Sequence, residues 1–204
     1  MNDFLHATPR TVSCHGTSVE IDRMTPAMGE DLARFVATLP THDLLFLTRD
    51  ISHSKVIAAW MEAIAEGRVT SLVARSAGEI VGCTAIVTRD LSWSRHVGEL
   101  RVLVAPELKG HGLGRALIQG CFAQALELGL EKLCVQMTID QRAAIAVFEE
   151  LGFRAEALLH KHVKDREGTF HDLALLSHDV AAVNARLDAL GVTDVFDPAS
   201  AGAA

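Results

Sequence analysis

The sequence predicts an α/β protein in which helices pack on the faces of a mixed sheet. Strand-like and helix-like runs follow one another in the order β-α-α-β-β-β-α-β-α-β-β, with short turns between some neighbouring strands and helices between others. The chain has 204 residues, of which 49% are hydrophobic, so it can bury one sizeable core. We therefore expect one domain over residues 1–178, followed by a C-terminal helix and flexible tail over residues 179–204.

The first half of the chain predicts a strand, two helices and a hairpin. SVEIDRMTP (18–26) has the pattern of a short strand that leads into a helix over about 26–38. A second helix is expected over about 52–66, with Ser52 as its N-cap and Gly67 at its end. Two β-branched runs within 68–89 are joined by Ala-Gly-Glu, which is typical of a hairpin.

The second half predicts strands that alternate with helices. HVGELRVLVAP (96–106) alternates like a strand, and the helix after it carries apolar residues at helical spacing until Gly129. A later helix is expected to end on Gly152, because glycine suits a left-handed cap. The expected elements are a strand at 96–106, a helix at 112–128, a strand at 133–137, a helix at 141–150, strands at 153–163 and 169–177, and a helix near 179–190.

Charge and composition argue against several classes of protein. The net charge of −7 disfavours a nucleic-acid partner and mildly favours cationic or amine partners. No window approaches about 20 unbroken apolar residues, and the start MNDFLHATPR lacks the layout of a signal peptide, so we expect no membrane segment. The four cysteines are scattered without a CxxC pair, which favours reduced thiols and a cytoplasmic protein.

The most informative stretch is VLVAPELKGHGLGRALI (102–118), in which a strand-like run is followed by three alternating glycines and a helix-like run. Glycine costs roughly 0.5–1 kcal/mol against alanine in regular structure, so the repeat needs a reason. One interpretation is a helix N-terminus that holds phosphate through its unpaired amides, flanked by Lys109 and Arg115. A second is a dinucleotide fingerprint, although the spacing is GxGxG and not GxGxxG. A third is a plain flexible turn.

Together with a later stretch, these residues resemble the GNAT acetyltransferase superfamily. In that family a strand ending V-x-V-x-P is followed by [RQ]-x-x-G-x-[GA]. AIAVFEELGFR (144–154) resembles the family's second motif, about 30 residues downstream, and the similarity extends over about 68–177. The residues that match the first motif are Val102, Val104, Pro106, Lys109, Gly112 and Gly114.

Two residues depart from the family pattern. Lys109 stands where arginine or glutamine is usual, which keeps the charge but loses the planar hydrogen-bonding geometry. Phe148 occupies the place of the customary tyrosine, and the chain contains no tyrosine. The general acid often assigned to that tyrosine therefore cannot be the same group here.

The resemblance implies an acyl-CoA N-acyltransferase fold: a central twisted, mostly antiparallel sheet with a splayed parallel pair, flanked by helices. It implies acetyl-CoA as the acyl donor and no metal, with the pantetheine arm along the splayed strand and the diphosphate on the glycines. A backbone N–H of strand 100–104 would then hold the thioester oxyanion. His111 would contribute its backbone rather than its imidazole. The residues expected to bind the coenzyme are Val102, Leu103, Val104, Lys109, Gly110, His111, Gly112, Leu113, Gly114, Arg115, Gln141 and Phe148.

Acetyl transfer to an amine requires the neutral amine. Deprotonating an aliphatic ammonium with a pKa near 10.4 costs roughly 4.6 kcal/mol at pH 7, so a base matters more than an acid. The candidate base is Glu99, on the strand that faces the thioester, acting through a water. The alternative interpretation of Glu99 is a surface carboxylate at a strand edge. His96 is a weaker candidate, because a separation of three residues on a strand directs it to the opposite side.

Other polar residues allow several interpretations. Histidines on the last two strands, together with Asp172, suggest a metal site, the solvent face of a hairpin or the lining of an acceptor pocket; these histidines are His160, His162 and His171. The stretch THDLLFLTRD (41–50) corresponds to the connection that shapes substrate entry in similar proteins. Its Asp43 and Asp50 could hold an ammonium or could be solvated.

The resemblance therefore predicts an enzyme, an N-acetyltransferase that moves the acetyl group of acetyl-CoA to a primary amine of a small molecule in a ternary complex. The expected partners are acetyl-CoA and the amine, without nucleic acid or membrane, and a homodimer is a further expectation. Two alternatives are a degenerate member that binds acyl-CoA as a sensor and a protein or peptide N-acetyltransferase.

Overall fold

The computed structural model describes residues 9–182 except residues 48 and 90. This part of the chain forms a nine-stranded sheet with helices on both faces. The strands are β1 (Arg10–Cys14), β2 (Thr17–Arg23), β3 (Val69–Thr70), β4 (Leu72–Ser76), β5 (Glu79–Val87), β6 (Val97–Val104), β7 (Lys132–Thr138), β8 (Arg154–Lys164) and β9 (Phe170–Asp179). The helices are α1 (Gly29–Thr38), α2 (Ser54–Ala65), α3 (Leu113–Glu127) and α4 (Arg142–Glu150), with single 3₁₀ turns at Pro26–Met28, Thr41–Leu44 and Pro106–Leu108.

The sheet is mostly antiparallel. Its order is β1-β2-β4-β5-β6-β7-β9-β8, with the short β3 beside β5. Every pair of neighbours is antiparallel except β6 and β7, which run parallel because α3 connects them. This mixed sheet with one parallel pair and flanking helices confirms the fold class expected from the sequence.

Two apolar cores cover the two faces of the sheet. On the α3–α4 face, Leu117 of α3 and Phe148 of α4 pack on a core that includes Leu100 of β6. On the α1–α2 face, Leu32 of α1 packs in a second core that includes Leu103 of β6. Successive residues of a strand point to opposite faces, so β6 is buried from both sides.

Most predicted elements are present, and three details differ. β1 was not expected; it pairs with β2 and extends the sheet by one strand. Ser52 does not cap α2, because its hydroxyl donates to the Asp50 carboxylate and His53 takes the N-cap position without a side-chain bond. The helix expected near 179–190 lies mostly outside the described residues, of which 180–182 are helical. None of the described helices has both the length and the apolar character that a membrane span requires.

Candidate active site

The sheet opens between β6 and β7. The two strands pair only at the three positions that end with Glu99 opposite Cys134, although β6 continues to Val104 and β7 to Thr138. Meanwhile β5 stays paired with β6 as far as Val104, and β9 stays paired with β7 as far as Thr138. The two halves of the sheet therefore diverge in a V, and we call the space between them the splay.

Backbone groups of β6 face this space. Ala105 N–H donates to Val81 O, which directs the backbone of this residue towards β5. At the other end His96 O accepts from Lys132 N–H and so points towards β7. Because these directions alternate along a strand, the N–H and C=O groups of Val102 and Val104 point into the splay, where β7 no longer pairs with them.

The glycine loop, residues 109–114, follows β6 and lies at the open end of the splay. Gly110 and Gly112 have φ values of +76° and +89°, a conformation that favours glycine. A Cβ at either position would meet no atom within 4 Å, so the backbone there is open to a ligand. The first helical bond of α3 runs from Ala116 N–H to Gly112 O, which leaves the amides before it at the positive end of the helix dipole.

A cavity of about 530 Å³ connects the splay with the glycine loop. This volume is typical of ligand pockets. Ten of the thirteen residues predicted for the site line it: Val102, Leu103, Val104, Lys109, Gly110, Gly112, Gly114, Arg115, Gln141 and Phe148. Three do not: His111 projects towards β1–β2, Leu113 is fully buried in the core, and Glu99 lies deeper in the splay.

Lys109 and Arg115, the two cations that flank the glycine loop, are each paired with a carboxylate. Lys109 Nζ lies 2.5 Å from Asp43 Oδ2, and Asp43 itself lines the cavity. Arg115 forms an ion pair with Glu150 of α4. An anionic ligand of the glycine loop that contacts either cation therefore exchanges with its carboxylate or shares the cation with it.

The α1–α2 connection covers the open end of the splay. Here His42 Nε2 lies 2.6 Å from Asp140 Oδ2, next to Asp43. Farther along, Ser52 and then Arg166 hydrogen-bond Asp50 and hold the pKa of this carboxyl well below its ordinary value. The connection is therefore tied by its carboxylates and histidine to three other parts of the chain: the glycine loop, the end of β7 and the β8–β9 turn.

Glu99 lies where β6 and β7 part. It shares the α1–α2 face with Arg101 and Leu103, since all three are alternate residues of one strand. Arg101 Nε and Nη2 lie 2.9 and 2.7 Å from Glu99 Oε1. Both of these bonds end on one carboxylate oxygen, so the other oxygen can accept a hydrogen bond from a water or a ligand.

The histidine cluster separates into carboxylate pairs. His171 Nε2 lies 2.7 Å from Asp165 Oδ2, and this hydrogen bond holds the pKa of Asp165 below its ordinary value. His160 pairs with Asp172 at 3.1 Å. Within the described ranges, no three His, Cys, Asp or Glu side chains come together as a metal site.

Sequence reasoning missed the partners of the predicted residues. The sequence suggests Asp43 as a ligand of a substrate ammonium, whereas its partner is Lys109, and nothing in the sequence points to Asp140 as the partner of His42. Local spacing carries no signal for either, because Asp43 and Lys109 are 66 residues apart and His42 and Asp140 are 98 apart in the chain.

Comparisons with known proteins agree with this geometry. The family model of the acetyltransferase (GNAT) family matches residues 39–153. An IAA acetyltransferase from Azospirillum brasilense is 31% identical over 94 residues, which are 46% of this chain and 60% of the relative. Probable N-acetyltransferase 14 from Danio rerio is 32% identical over 102 residues, 49% of this chain and 35% of the relative. The chain thus spans between about a third and three fifths of these relatives.

Solved structures share the fold. An acetyltransferase of the GNAT family from Streptococcus pneumoniae superposes with a TM-score of 0.69 at 22% identity, over 79% of this chain and 99% of that one. A protein from Salmonella typhimurium, solved with its cofactor acetyl-CoA, gives 0.68 at 21%, over 79% and 94%. Spermidine N-acetyltransferase from Vibrio cholerae, in complex with CoA and spermine, gives 0.66 at 15%, over 80% and 96%.

The family model covers more than half of the chain and includes the splay, the glycine loop and α4. The resemblance drawn from the two sequence motifs is thereby confirmed, and the chain belongs to the GNAT acetyltransferase family.

Proposed function

We propose that this chain transfers the acetyl group of acetyl-CoA to a primary amine of a small molecule, by direct attack within a ternary complex. The observation that carries the proposal is the splay between β6 and β7, which leads through one cavity to the open amide end of α3. A long ligand with an anionic end and an extended amide-containing arm suits this shape.

The anionic end suits the glycine loop. The free amides of the first turn of α3 and the positive helix end favour a diphosphate, and Gly110 and Gly112 let it approach the backbone. Lys109 and Arg115 add positive charge once their carboxylate partners give way. Gln141 and Phe148, at the start and in the body of α4, line the opposite wall for the arm.

The arm suits the exposed edge of β6. The backbone groups of Val102 and Val104 can pair with the amides of a pantetheine chain as an added strand would. A strand N–H that points at the thioester carbonyl would stabilise the oxyanion of the tetrahedral intermediate. The thioester would then lie close to the parting point of the strands, where Glu99 sits.

Glu99 is proposed as the base, through a bridging water. Its second carboxylate oxygen is available for that water, while Arg101 fixes the first. The amine nitrogen attacks the carbonyl carbon, its proton passes to the water and Glu99, and collapse of the intermediate expels the coenzyme thiolate. A thiolate with a pKa near 8.5 leaves at pH 7 for roughly 2 kcal/mol, so the absence of a hydroxyl at Phe148 is tolerable.

The test combines calorimetry with a turnover assay. Acetyl-CoA titrated into the protein should bind with a stoichiometry of one, and a panel of small amines should include at least one that releases free thiol. A panel of peptides serves as the comparison for protein acetylation. If acetyl-CoA does not bind at all, the proposal is wrong.

A second candidate is a sensor that binds acyl-CoA without turnover. The observation that favours it is Phe148, which is buried against Phe153 and offers no proton to the leaving sulfur. Tight binding of acetyl-CoA without thiol release across both panels would support the sensor. Turnover that is lost in the Glu99→Gln variant would exclude it.

A further inference from the structure

Two histidines from distant parts of the chain stack beside the glycine loop. His15 lies in the turn between β1 and β2, and His111 lies within the glycine loop. Their ring centroids are 4.3 Å apart and their planes differ by 28°. Both residues are exposed, so the edges of the stacked rings face solvent next to Lys109 and Gly112.

This stack differs from three histidines of the described chain that pair with aspartates. His42, His160 and His171 each lie within 3.1 Å of an aspartate oxygen. In contrast, neither His15 nor His111 has a hydrogen bond or an ion pair from a described side chain. The ring N–H groups of His15 and His111 therefore have no carboxylate partner among the described side chains, and they lie beside the glycine loop, which is suited to bind phosphate.

The backbone at His15 adds a second observation. Cys14 pairs with Thr17, so His15 and Gly16 form a two-residue hairpin turn, with φ values of +52° and +79°. Turns with two positive φ values favour asparagine or glycine at the first position. Histidine is one of the residues that tolerate a positive φ, and here its ring reaches the glycine loop rather than the turn's own backbone.

We propose that His15 and His111 form a subsite for the 3′-phosphate of coenzyme A, an inference that rests on the proposed function. Coenzyme A carries this phosphomonoester on the ribose that adjoins its diphosphate. His111 belongs to the loop on which the diphosphate would lie, and the ribose is bonded directly to that diphosphate, so its 3′-phosphate would lie within reach of side chains that border the loop. Ring N–H groups of both histidines then donate to the phosphate oxygens, which are strong acceptors.

The test compares coenzyme A with 3′-dephospho-coenzyme A, which lacks only this phosphate. Dissociation constants are measured by calorimetry for the wild type and for His15→Asn and His111→Asn. Asparagine suits the hairpin turn at position 15, so this variant should keep the fold while it removes the ring. His162→Gln is the matched control, because His162 is exposed on β8, away from the glycine loop.

The wild type should bind coenzyme A about ten-fold more tightly than the dephospho compound, as expected for charge-assisted hydrogen bonds. In His15→Asn and in His111→Asn this ratio should fall to about three or less, whereas His162→Gln should keep the wild-type ratio. A wild type that binds both compounds equally, or an unchanged ratio in both variants, would overturn the subsite and leave the proposed function standing. An equal loss of affinity for both compounds would indicate stacking on the adenine and would also overturn it. If neither compound binds the wild type, the proposed function itself fails.

Discussion

At the scale of single residues, the position of Glu99 decides the proposed chemistry. It is the last residue of β6 that pairs with β7, so it sits at the parting point of the splay and on the face that α1 and α2 cover. The guanidinium of Arg101 holds one of its oxygens. Arg101 therefore holds the Glu99 carboxylate in place beside the splay, and the splay stays open.

Glu99→Gln should therefore lower kcat/KM for an aliphatic amine by about 10²–10⁴, because the glutamine cannot accept the proton. The dissociation constant of acetyl-CoA should stay within about two-fold of the wild type, since Glu99 does not line the cavity around the glycine loop. The measurements are thiol release and calorimetry. Glu79→Gln, at the exposed first residue of β5, is the control for the loss of one carboxylate. Unchanged turnover in Glu99→Gln would remove Glu99 as the base.

Single residues also show what the sequence could and could not reveal. Glycine at positions 67, 129 and 152 predicts the ends of helices, and all three have positive φ values. Local chemistry explains this success, because only glycine adopts such angles without strain. The pairing of Lys109 with Asp43 depends on how the whole chain folds, and no local pattern encodes it.

At the scale of elements, the 3₁₀ turn Thr41–Leu44 links the two sides of the splay at its open end. Asp43 holds Lys109 of the glycine loop, and the adjacent His42 contacts Asp140 at the end of β7. The Lys109–Asp43 pair is half exposed on the lysine side, so its net stabilisation is small. A diphosphate can therefore displace it at little cost.

Asp43→Asn should strengthen coenzyme A binding by about three-fold or more, because Lys109 loses a competing anion and the phosphates lose a repelling one. Calorimetry at two salt concentrations measures the effect, which should shrink at the higher one. Glu20→Gln, exposed on β2, makes the same change in net charge far from the loop. Equal tightening in both variants would show a general charge effect and contradict the displacement.

The ends of α3 and α4 provide a matched comparison of two glycines. Gly129 has φ +64° with no atom within 4 Å of an added Cβ, whereas Gly152 has φ +97° and its Cβ would lie 3.0 Å from His178 Nε2. The His178 ring is buried and packs on Phe122 and Phe153, so it cannot move away easily.

Gly129→Ala should lower the free energy of unfolding by roughly 1–2 kcal/mol through backbone strain alone. Gly152→Ala should cost about 1–3 kcal/mol more, because overpacking adds to the strain. Urea unfolding of both variants measures the difference. Equal losses would mean that the buried histidine ring adapts without cost.

Element prediction from the sequence failed where the pattern was weak or ambiguous. RTVSC of β1 is a short run that becomes a strand only by pairing with β2, through a turn that places histidine where asparagine is usual. Ser52 has the chemistry of a helix cap, but the carboxylate of Asp50 two residues earlier is the stronger acceptor for its hydroxyl. Both outcomes follow from tertiary or competing local contacts that periodicity does not report.

At the scale of the whole molecule, the sheet consists of two halves that meet at three paired positions. Strands β1 to β6 form one half and β7 to β9 the other, and β6 and β7 pair only as far as Glu99 and Cys134. A ligand that lies in the splay and pairs with the edge of β6 would contact both halves. Binding of such a ligand should therefore raise the free energy of unfolding of both halves of the sheet together.

Acetyl-CoA at about 100 times its dissociation constant should raise the free energy of unfolding by about 2.7 kcal/mol, which corresponds to a rise in Tm of roughly 5–11 °C for a chain of this size. Thermal unfolding with increasing acetyl-CoA measures the shift.

Gly114→Val is the matched control. Gly114 is in the first turn of α3 and lines the cavity, and a Cβ there has ordinary contacts. The variant should therefore fold, while its side chain fills the space in front of the first turn of α3. That variant should keep a Tm near the wild-type value without ligand and show no shift with it. If acetyl-CoA raises the Tm of Gly114→Val as much as that of the wild type, the coenzyme binds elsewhere, because the valine side chain leaves no room for its diphosphate at the start of α3.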